Sequence, residues 1–315
     1  MNTSYILEDW VPINELNWSD LSKNPNAIDM LEENQTSIDW INLAENPNAF
    51  HILEKNAHKL PMLNYPYSDN VSDIFDGFHC IQYYFDSLVS NPNPEIFNYF
   101  IKPNLLKCIE NNDENDEENE IIIRNLNLTK LYSNPNIMNI INDFSIVCPI
   151  DWEGLTQNPH PMAIELLRKN PEFIVWDDLM KNPSAIALIK ETNDIEPDWE
   201  EISFNMSYEA IEFILESFEN DYTKIINNCI MKGVASNPYG LELTEKIIQN
   251  NLLTDIHKKY VYIGLAKNPM AKHILSNPET FTIVKHQFSN REKRDFYKNL
   301  SINPCIFNEI SIGLK

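Results

Sequence analysis

An all-α fold, read as a right-handed solenoid of helical hairpins in units of about 23 residues with longer C-terminal repeats, follows from three observations. A phrase Trp-x-x-Leu-x-x-Asn-Pro-x-Ala-Ile-x-x-Leu recurs along the chain. Helix-starting and helix-breaking residues punctuate every copy at the same places. Only 6 of the 315 residues are glycine, and the long alternating runs closed by glycine turns that mark β proteins are missing.

Trp18, Leu21, Asn24, Pro25, Ala27, Ile28 and Leu31 spell the phrase first, and Trp40, Leu43, Asn46, Pro47, Ala49, Phe50 and Leu53 repeat it. Trp152, Leu155, Asn158, Pro159, Ala163, Ile164 and Leu167 carry it with an inserted His160-Pro161 pair. Trp176, Leu179, Asn182, Pro183, Ala185 and Ile186 restore the spacing, with Ile189 in the last place. A worn copy follows at Trp199, Ile202, Asn205, Ala210, Ile211 and Leu215, where Met206 stands in for proline. Asn-Pro returns at 91, 134, 237, 268 and 303, while Asn170-Pro171 and Asn277-Pro278 fall between repeats and read as linker turns.

In each unit the first helix is expected to begin at the Trp. Asp39, Asp151 and Asp198 precede three of these tryptophans and suit an N-cap, because a carboxylate accepts from the free amides of the first turn. Proline disfavours helical angles in the residue before it and suits the first helical position, so Asn24 is read as a cap and Pro25 as the first residue of helix two. Ala27, Ile28 and Leu31 then make an apolar helical stripe, and Asn34 or Asn56 is expected to close the helix in a left-handed conformation.

A hairpin of this size buries too little apolar surface to offset the entropy of ordering its own chain, so neighbours must cover it. The repeated tryptophans are therefore expected to fill space between hairpins, and Trp40→Ala to cost about 3 kcal/mol or more through a core cavity. Hairpins stacked about 8 to 10 Å apart would form a rod or arc on the order of 80 Å long. Its two ends, around Trp10 and around 306–314, would need polar caps or another subunit.

Within one stack spanning 1–315, residues 10–56 are regular repeats, 57–130 a divergent segment, 131–220 repeats again, and 221–315 longer, more basic repeats. The divergent segment holds Phe78, Tyr83, Tyr84 and Phe85, then Phe97, Tyr99 and Phe100, whose helical spacing reads as core before it reads as a binding surface. Its run 110–120, with Asp113, Asp116, Glu117 and Glu118, is too polar to bury and is expected to be a disordered loop.

The net charge is −23, yet residues 246–298 carry ten basic groups against Asp255, Glu279, Glu292 and Asp295. An acidic body repels phosphates and favours basic partners. Nucleic acid is disfavoured except through the basic segment 285–298, where Lys285, His286, Arg291, Lys293, Arg294 and Lys298 lie.

Chemistry is hard to find. His79-Cys80 is an isolated pair without metal-ligand spacing around it, and no phosphate loop, dinucleotide fingerprint or nucleophile elbow occurs. Asp177-Asp178 and Glu200-Glu201 are acidic pairs expected on any helix surface of this composition. The five cysteines, 80, 108, 148, 229 and 305, are scattered as buried thiols in a reducing compartment would be. No apolar run is long enough to cross a membrane, and the first eight residues do not read as a secretory signal. No catalytic, cofactor-binding or metal residue is assigned, no cofactor is expected, and the partner-binding residues are left open among exposed positions such as Asp29, Glu32 and Glu33.

The chain contains 43 Asn and 40 Ile, as an AT-rich coding sequence would give. The Trp-x-x-Leu-Ser-x-Asn-Pro-Asn-Ala-Ile phrase resembles the Asn-Pro repeat proteins of giant amoeba viruses of the mimivirus type. The resemblance covers 18–31, 40–53 and 152–189 well, and the C-terminal third only at its Asn-Pro pairs. It implies a viral helical repeat protein in the cytoplasm of an infected host cell or in the virion. The expected function is a non-enzymatic scaffold or adaptor that binds a protein with a basic surface. A structural component of the virion or virus factory, or an acidic decoy of a nucleic-acid-binding protein, are the alternatives.

Overall fold

The computed structural model describes residues 2–57, 85–103, 105–106, 127–192 and 195–312. The chain is mostly helical. Among the described residues the one sheet has two strands, β1 (Asn2–Leu7) and β2 (Phe307–Ile312), paired antiparallel with Tyr5 opposite Glu309. The acidic run 110–120, His79-Cys80, Phe78, Tyr83, Tyr84, Cys80 and Cys108 lie outside the described residues.

The chain divides into two compact units. One combines Met1–Glu33 with Val175–Lys315, and the other is Asn34–Ile174. We call them the outer-segment unit and the middle unit.

The first helix of a repeat is short because it is capped at both ends. Trp40–Leu43 begins after Asp39, whose carboxylate accepts from the amides of Ile41 and Asn42. Asp151 caps Trp152–Gln157 and Asp198 caps Trp199–Ile202 in the same way, while Asn17 does so for Trp18–Leu21. The second helix departs from expectation. It starts at Ile28 and Phe50, three residues after the proline. Asn24 Oδ1 accepts from Asn26 N–H at 3.0 Å, and the amide of Ala27 donates to Asn24 O at 3.1 Å. Pro25 therefore sits in a turn held by the asparagine, and the helix follows that turn. Only where a second proline or a linker is present, as at Pro161 and Pro278, does proline open an α-helix. Asn34 and Asn56 keep negative φ of −123° and −108°; among the described residues the left-handed ones are Glu219, Asn220 and Asn251.

The asparagines before the prolines do more than shape the turn. Nine of them, from Asn24 to Asn303, and Asn205 before Met206, are no more than 2% exposed, which is unusual for an amide side chain. In the middle unit Asn91 Nδ2 donates to Ala44 O and Asn46 O at 2.7 and 3.0 Å, Asn134 to Val89 O and Asn91 O, and Asn158 to Tyr132 O and Asn134 O. Each amide thus bonds two carbonyls of the repeat before it, including that of the preceding asparagine. The outer-segment unit repeats the pattern through Asn205, Asn268 and Asn303. Asn237 is displaced by two residues and uses Asn205 O and Ser207 O. Asn170 and Asn277 stay out of this ladder, as their reading as linker turns requires: Asn170 bonds back to Leu166 O, and Asn277 caps its own helix at Glu279.

Glycine marks where the repeats approach most closely. Gly154, Gly233 and Gly264 each stand four residues before a ladder asparagine, and a Cβ on any of them would lie closer than 3.0 Å to a backbone carbonyl of the preceding repeat. At the same position in the last repeat, Asn299 instead donates to Ile263 O at 2.8 Å.

Apolar positions of the phrase fill the core as expected. Leu21, Ala27, Leu31, Leu43, Leu53, Leu155, Ala163, Leu167 and Leu179 are fully buried. Phe85, Phe97 and Phe100 are buried too, which favours their reading as core; Tyr99 is 47% exposed and packs edge-on against Phe50 and Phe100. The tryptophans of the phrase are only half-buried. Trp152, for example, stacks on Phe173 with centroids 4.7 Å apart, and Phe173 is itself exposed. They are shields at the edge of the core, and the full-cavity cost expected for Trp40→Ala is too high.

The chain ends require a larger correction. Asn24 of the first repeat donates to Ser301 O and Asn303 O of the last, both at 2.9 Å, so the first repeat is the next rung after the last one. Asn26 donates to Pro304 O, and Asn17 N–H to Ser301 Oγ. Strand β1 pairs with β2, Lys272 is ion-paired with Glu8, and Trp10 packs on Phe281. The two regions expected to stand exposed at opposite ends of a rod cover each other. Asp29 is absorbed in this joint, accepting from Ser4 Oγ and Tyr5 N–H at 2.8 Å, and so drops out of the candidate binding residues.

Candidate interaction surface

The ladder brings equivalent residues of successive repeats side by side. Two residues after the ladder asparagine, the main-chain amide is held by the asparagine Oδ1 and the side chain projects at the turn. In the middle unit this place holds Asn93 and Asn136, which donate to Pro47 O and Pro92 O. A second line of bonds therefore runs beside the first.

In the outer-segment unit Asn26 makes the same kind of bond, to Pro304 O, but Tyr239 and Met270 hold the place on two other rungs, and they are 57% and 61% exposed. Tyr208, next to the corresponding Ser207, is 50% exposed and meets Tyr239 edge-on at 5.8 Å. Three consecutive repeats thus present a row of large apolar side chains that the fold leaves in water. Exposed apolar residues are ordinary singly, whereas a contiguous row is a feature of interaction sites.

Carboxylates flank the row. Helix Tyr208–Ser217 carries Glu209, Glu212 and Glu216 and no basic residue. Glu212 accepts from Tyr208 OH at 2.6 Å, which holds the phenol above its ordinary pKa. On the next repeats Glu242 lies 2.6 Å from Lys246, whose hydrogen bond first and charge second lower its pKa, and Glu245 lies 2.7 Å from His273.

Other residues singled out in the sequence have plain structural roles. Glu201 bridges Lys181 at 2.7 Å, and this bond first, with Asp178 and Asp177 adding to it, holds the lysine above its usual pKa. Burial pushes the thiols of Cys229 and Cys305 up to about 12, far from a reactive thiolate. Among the described residues no three His, Cys, Asp or Glu side chains are grouped to hold a metal ion, and no helix is long and apolar enough to cross a membrane.

Sequence reasoning missed Tyr208, Tyr239 and Met270. A signal was present: when the repeats are aligned on the ladder asparagine, the position two residues on reads Asn26, Asn48, Asn93 and Asn136, then His160, Ser184 and Ser207, and turns large and apolar or aromatic at Tyr239 and Met270 before Cys305. No protein-family model, curated protein or solved structure matches this chain.

Proposed function

We propose that the protein is a non-enzymatic interaction scaffold: lengths of right-handed helical-hairpin solenoid that hold a protein partner with a basic, partly apolar surface along the Tyr208–Tyr239–Met270 row. The single observation that carries this reading is the row itself, three exposed apolar side chains on consecutive rungs beside an acidic helix. A rigid ladder fixes their spacing, which lowers the ordering cost a partner must overcome on binding. The Asn-Pro phrase supports placing the chain among the giant-virus repeat proteins, acting in the cytoplasm of an infected cell or within the virion.

Affinity purification from infected cells with wild-type protein and with a Tyr208→Ser, Tyr239→Ser, Met270→Ser variant tests the proposal. A stoichiometric basic protein should be recovered with the first and lost with the second, while the unfolding midpoint stays the same. Equal recovery with both would refute the assignment of the row.

A further inference from the structure

A second surface of the outer-segment unit has the opposite charge. Helices Asp255–Leu265 and Asn290–Ile302 lie side by side, joined by the Lys259–Glu292 ion pair at 3.3 Å and the bond from Asn299 to Ile263 O. Phe296 and Leu300 face inward and are fully buried. Arg291, Arg294 and Lys298 follow one another at i, i+3 and i+7 on the opposite face, and all three are exposed. None of the three has a carboxylate partner among the described residues, in a protein where acids outnumber bases by two to one.

Apolar side chains border this basic line. Ile256 stands twelve residues before its ladder asparagine, as Arg291 does before Asn303, so the two occupy equivalent places on adjacent helices. Ile256 is 56% exposed, and Tyr260, one turn on, and Leu252, in the segment leading into the helix, are exposed as well. On the far flank Ile13 is exposed in the segment that leads into the first repeat.

We propose that this face docks a short acidic protein segment bearing apolar side chains. Charge complementarity gives the sign: unpaired cations in the middle, carboxylates on the partner. The aliphatic border gives the rest, since an extended or helical segment with apolar residues among its acids could cover Leu252 and Ile256 while reaching the arginines. Nucleic acid fits less well. Three exposed cations make few phosphate contacts, Tyr260 alone offers a ring for base stacking, and the remainder of the chain, at a net charge of −29, repels a polyanion.

The test uses the full chain and three fluorescein-labelled probes in anisotropy titrations at low salt: a 16-residue peptide mixing Glu with Leu and Phe, an oligoglutamate of the same charge, and a single-stranded RNA of the same charge. The mixed peptide should bind most tightly and weaken as salt rises. Arg291→Glu with Arg294→Glu and Lys298→Glu should weaken it tenfold or more. Ile256→Ser with Tyr260→Ser should weaken it several-fold and leave the weaker oligoglutamate binding unchanged. The Tyr208, Tyr239, Met270 variant should bind the peptide normally, so failure of the row and failure of this face are read separately. The proposal is overturned if the RNA binds more tightly than the mixed peptide, if the peptide does not bind, or if charge reversal changes its affinity less than twofold. All substituted residues are exposed, and an unchanged unfolding midpoint confirms that each variant is folded.

Discussion

Each unit is held by an asparagine ladder, and the side chain two residues past the ladder asparagine is put to two different uses. In the middle unit Asn93 and Asn136 bond to the carbonyls of Pro47 and Pro92, and the turn is sealed by polar contacts. In the outer-segment unit Asn26 keeps that bond, to Pro304 O, whereas on two other rungs Tyr239 and Met270 take the place and face solvent. One position, two residues past a repeated role, is spent on cohesion at Asn26, Asn93 and Asn136 and left available for contact at Tyr239 and Met270. Cohesion and recognition are thus separable in this repeat, because the buried amide joins the rungs whether or not the neighbouring side chain adds a bond.

If the ladder is the common element, breaking it should cost the most and cost similar amounts in both units. Asn268→Ala removes two buried bonds and leaves the carbonyls of Ala235 and Asn237 without that donor, and Asn134→Ala does the same to Val89 and Asn91. Each should destabilise by about 2 to 4 kcal/mol in chemical denaturation. Asn268→Asp should be worse at neutral pH, since a carboxylate would face two carbonyl oxygens. That arrangement raises the folded-state pKa above the unfolded value of about 3.9. The carboxylate's penalty is then complete at pH 7 and shrinks as pH falls through the raised folded pKa, where the protonated group can donate. The variant should regain stability relative to wild type between pH 7 and 5; a constant difference would mean that the amide is not the donor.

Close approach comes next in size. Gly154→Ala in the middle unit presses on Thr129 O, and Gly264→Ala in the outer-segment unit presses on Lys232 O. Both neighbours are backbone and cannot swing aside, so about 1 to 3 kcal/mol of destabilisation is expected from each. Asn299→Ala, at the equivalent position where the helices stand far enough apart to fit an amide, should cost about 1 kcal/mol through one lost bond. Similar losses for the glycine and asparagine variants would show that spacing between repeats is not what selects glycine.

The half-buried tryptophans follow. Trp40→Ala leaves an edge that water can fill and should cost about 2 kcal/mol, short of the value for a sealed core cavity. A midpoint shift equivalent to 3 kcal/mol or more would return this residue to the core.

What the sequence made legible is what lies close along the chain. Asp39, Asp151 and Asp198 cap amides two or three residues away, and the Leu, Ala and Ile stripe shows its burial through its own period. The ladder stayed hidden because its two halves sit in different repeats, 24 residues apart for Asn158 and Asn134 and 43 for Asn134 and Asn91. A recurring asparagine announces a role, but its cap and its cross-repeat bonds use opposite ends of one amide, and only the cap has a local signature. The joint between Asn24 and Asn303 was less visible still. Strands of six residues at opposite ends of the chain give no sign of pairing, and the engagement of Asp29 by Ser4 and Tyr5 of β1 cannot be told from free exposure by composition. The interaction row escaped because Tyr239 and Met270 interrupt a polar position, and a search for repeated identities passes over the place where the identity changes.

The smallest effect bears most directly on the two ways of using that position. Met270→Asn writes the residue of the sealed rungs, Asn26, Asn93 and Asn136, into an open one. The ladder bond from Asn268 is regular there, reaching Ala235 O and Asn237 O, so the new amide should find Pro238 O as Asn136 finds Pro92 O. One solvent-accessible bond is worth about 0.5 kcal/mol of added stability. Tyr239→Asn should bring no such gain, because Asn237 is displaced along the preceding repeat and the matching carbonyl is out of register. Both changes should weaken the partner bound at the row, yet only the first should raise the unfolding midpoint. Equal midpoints would mean that the polar line in the middle unit adds nothing to cohesion, and that Asn93 and Asn136 are held for another reason.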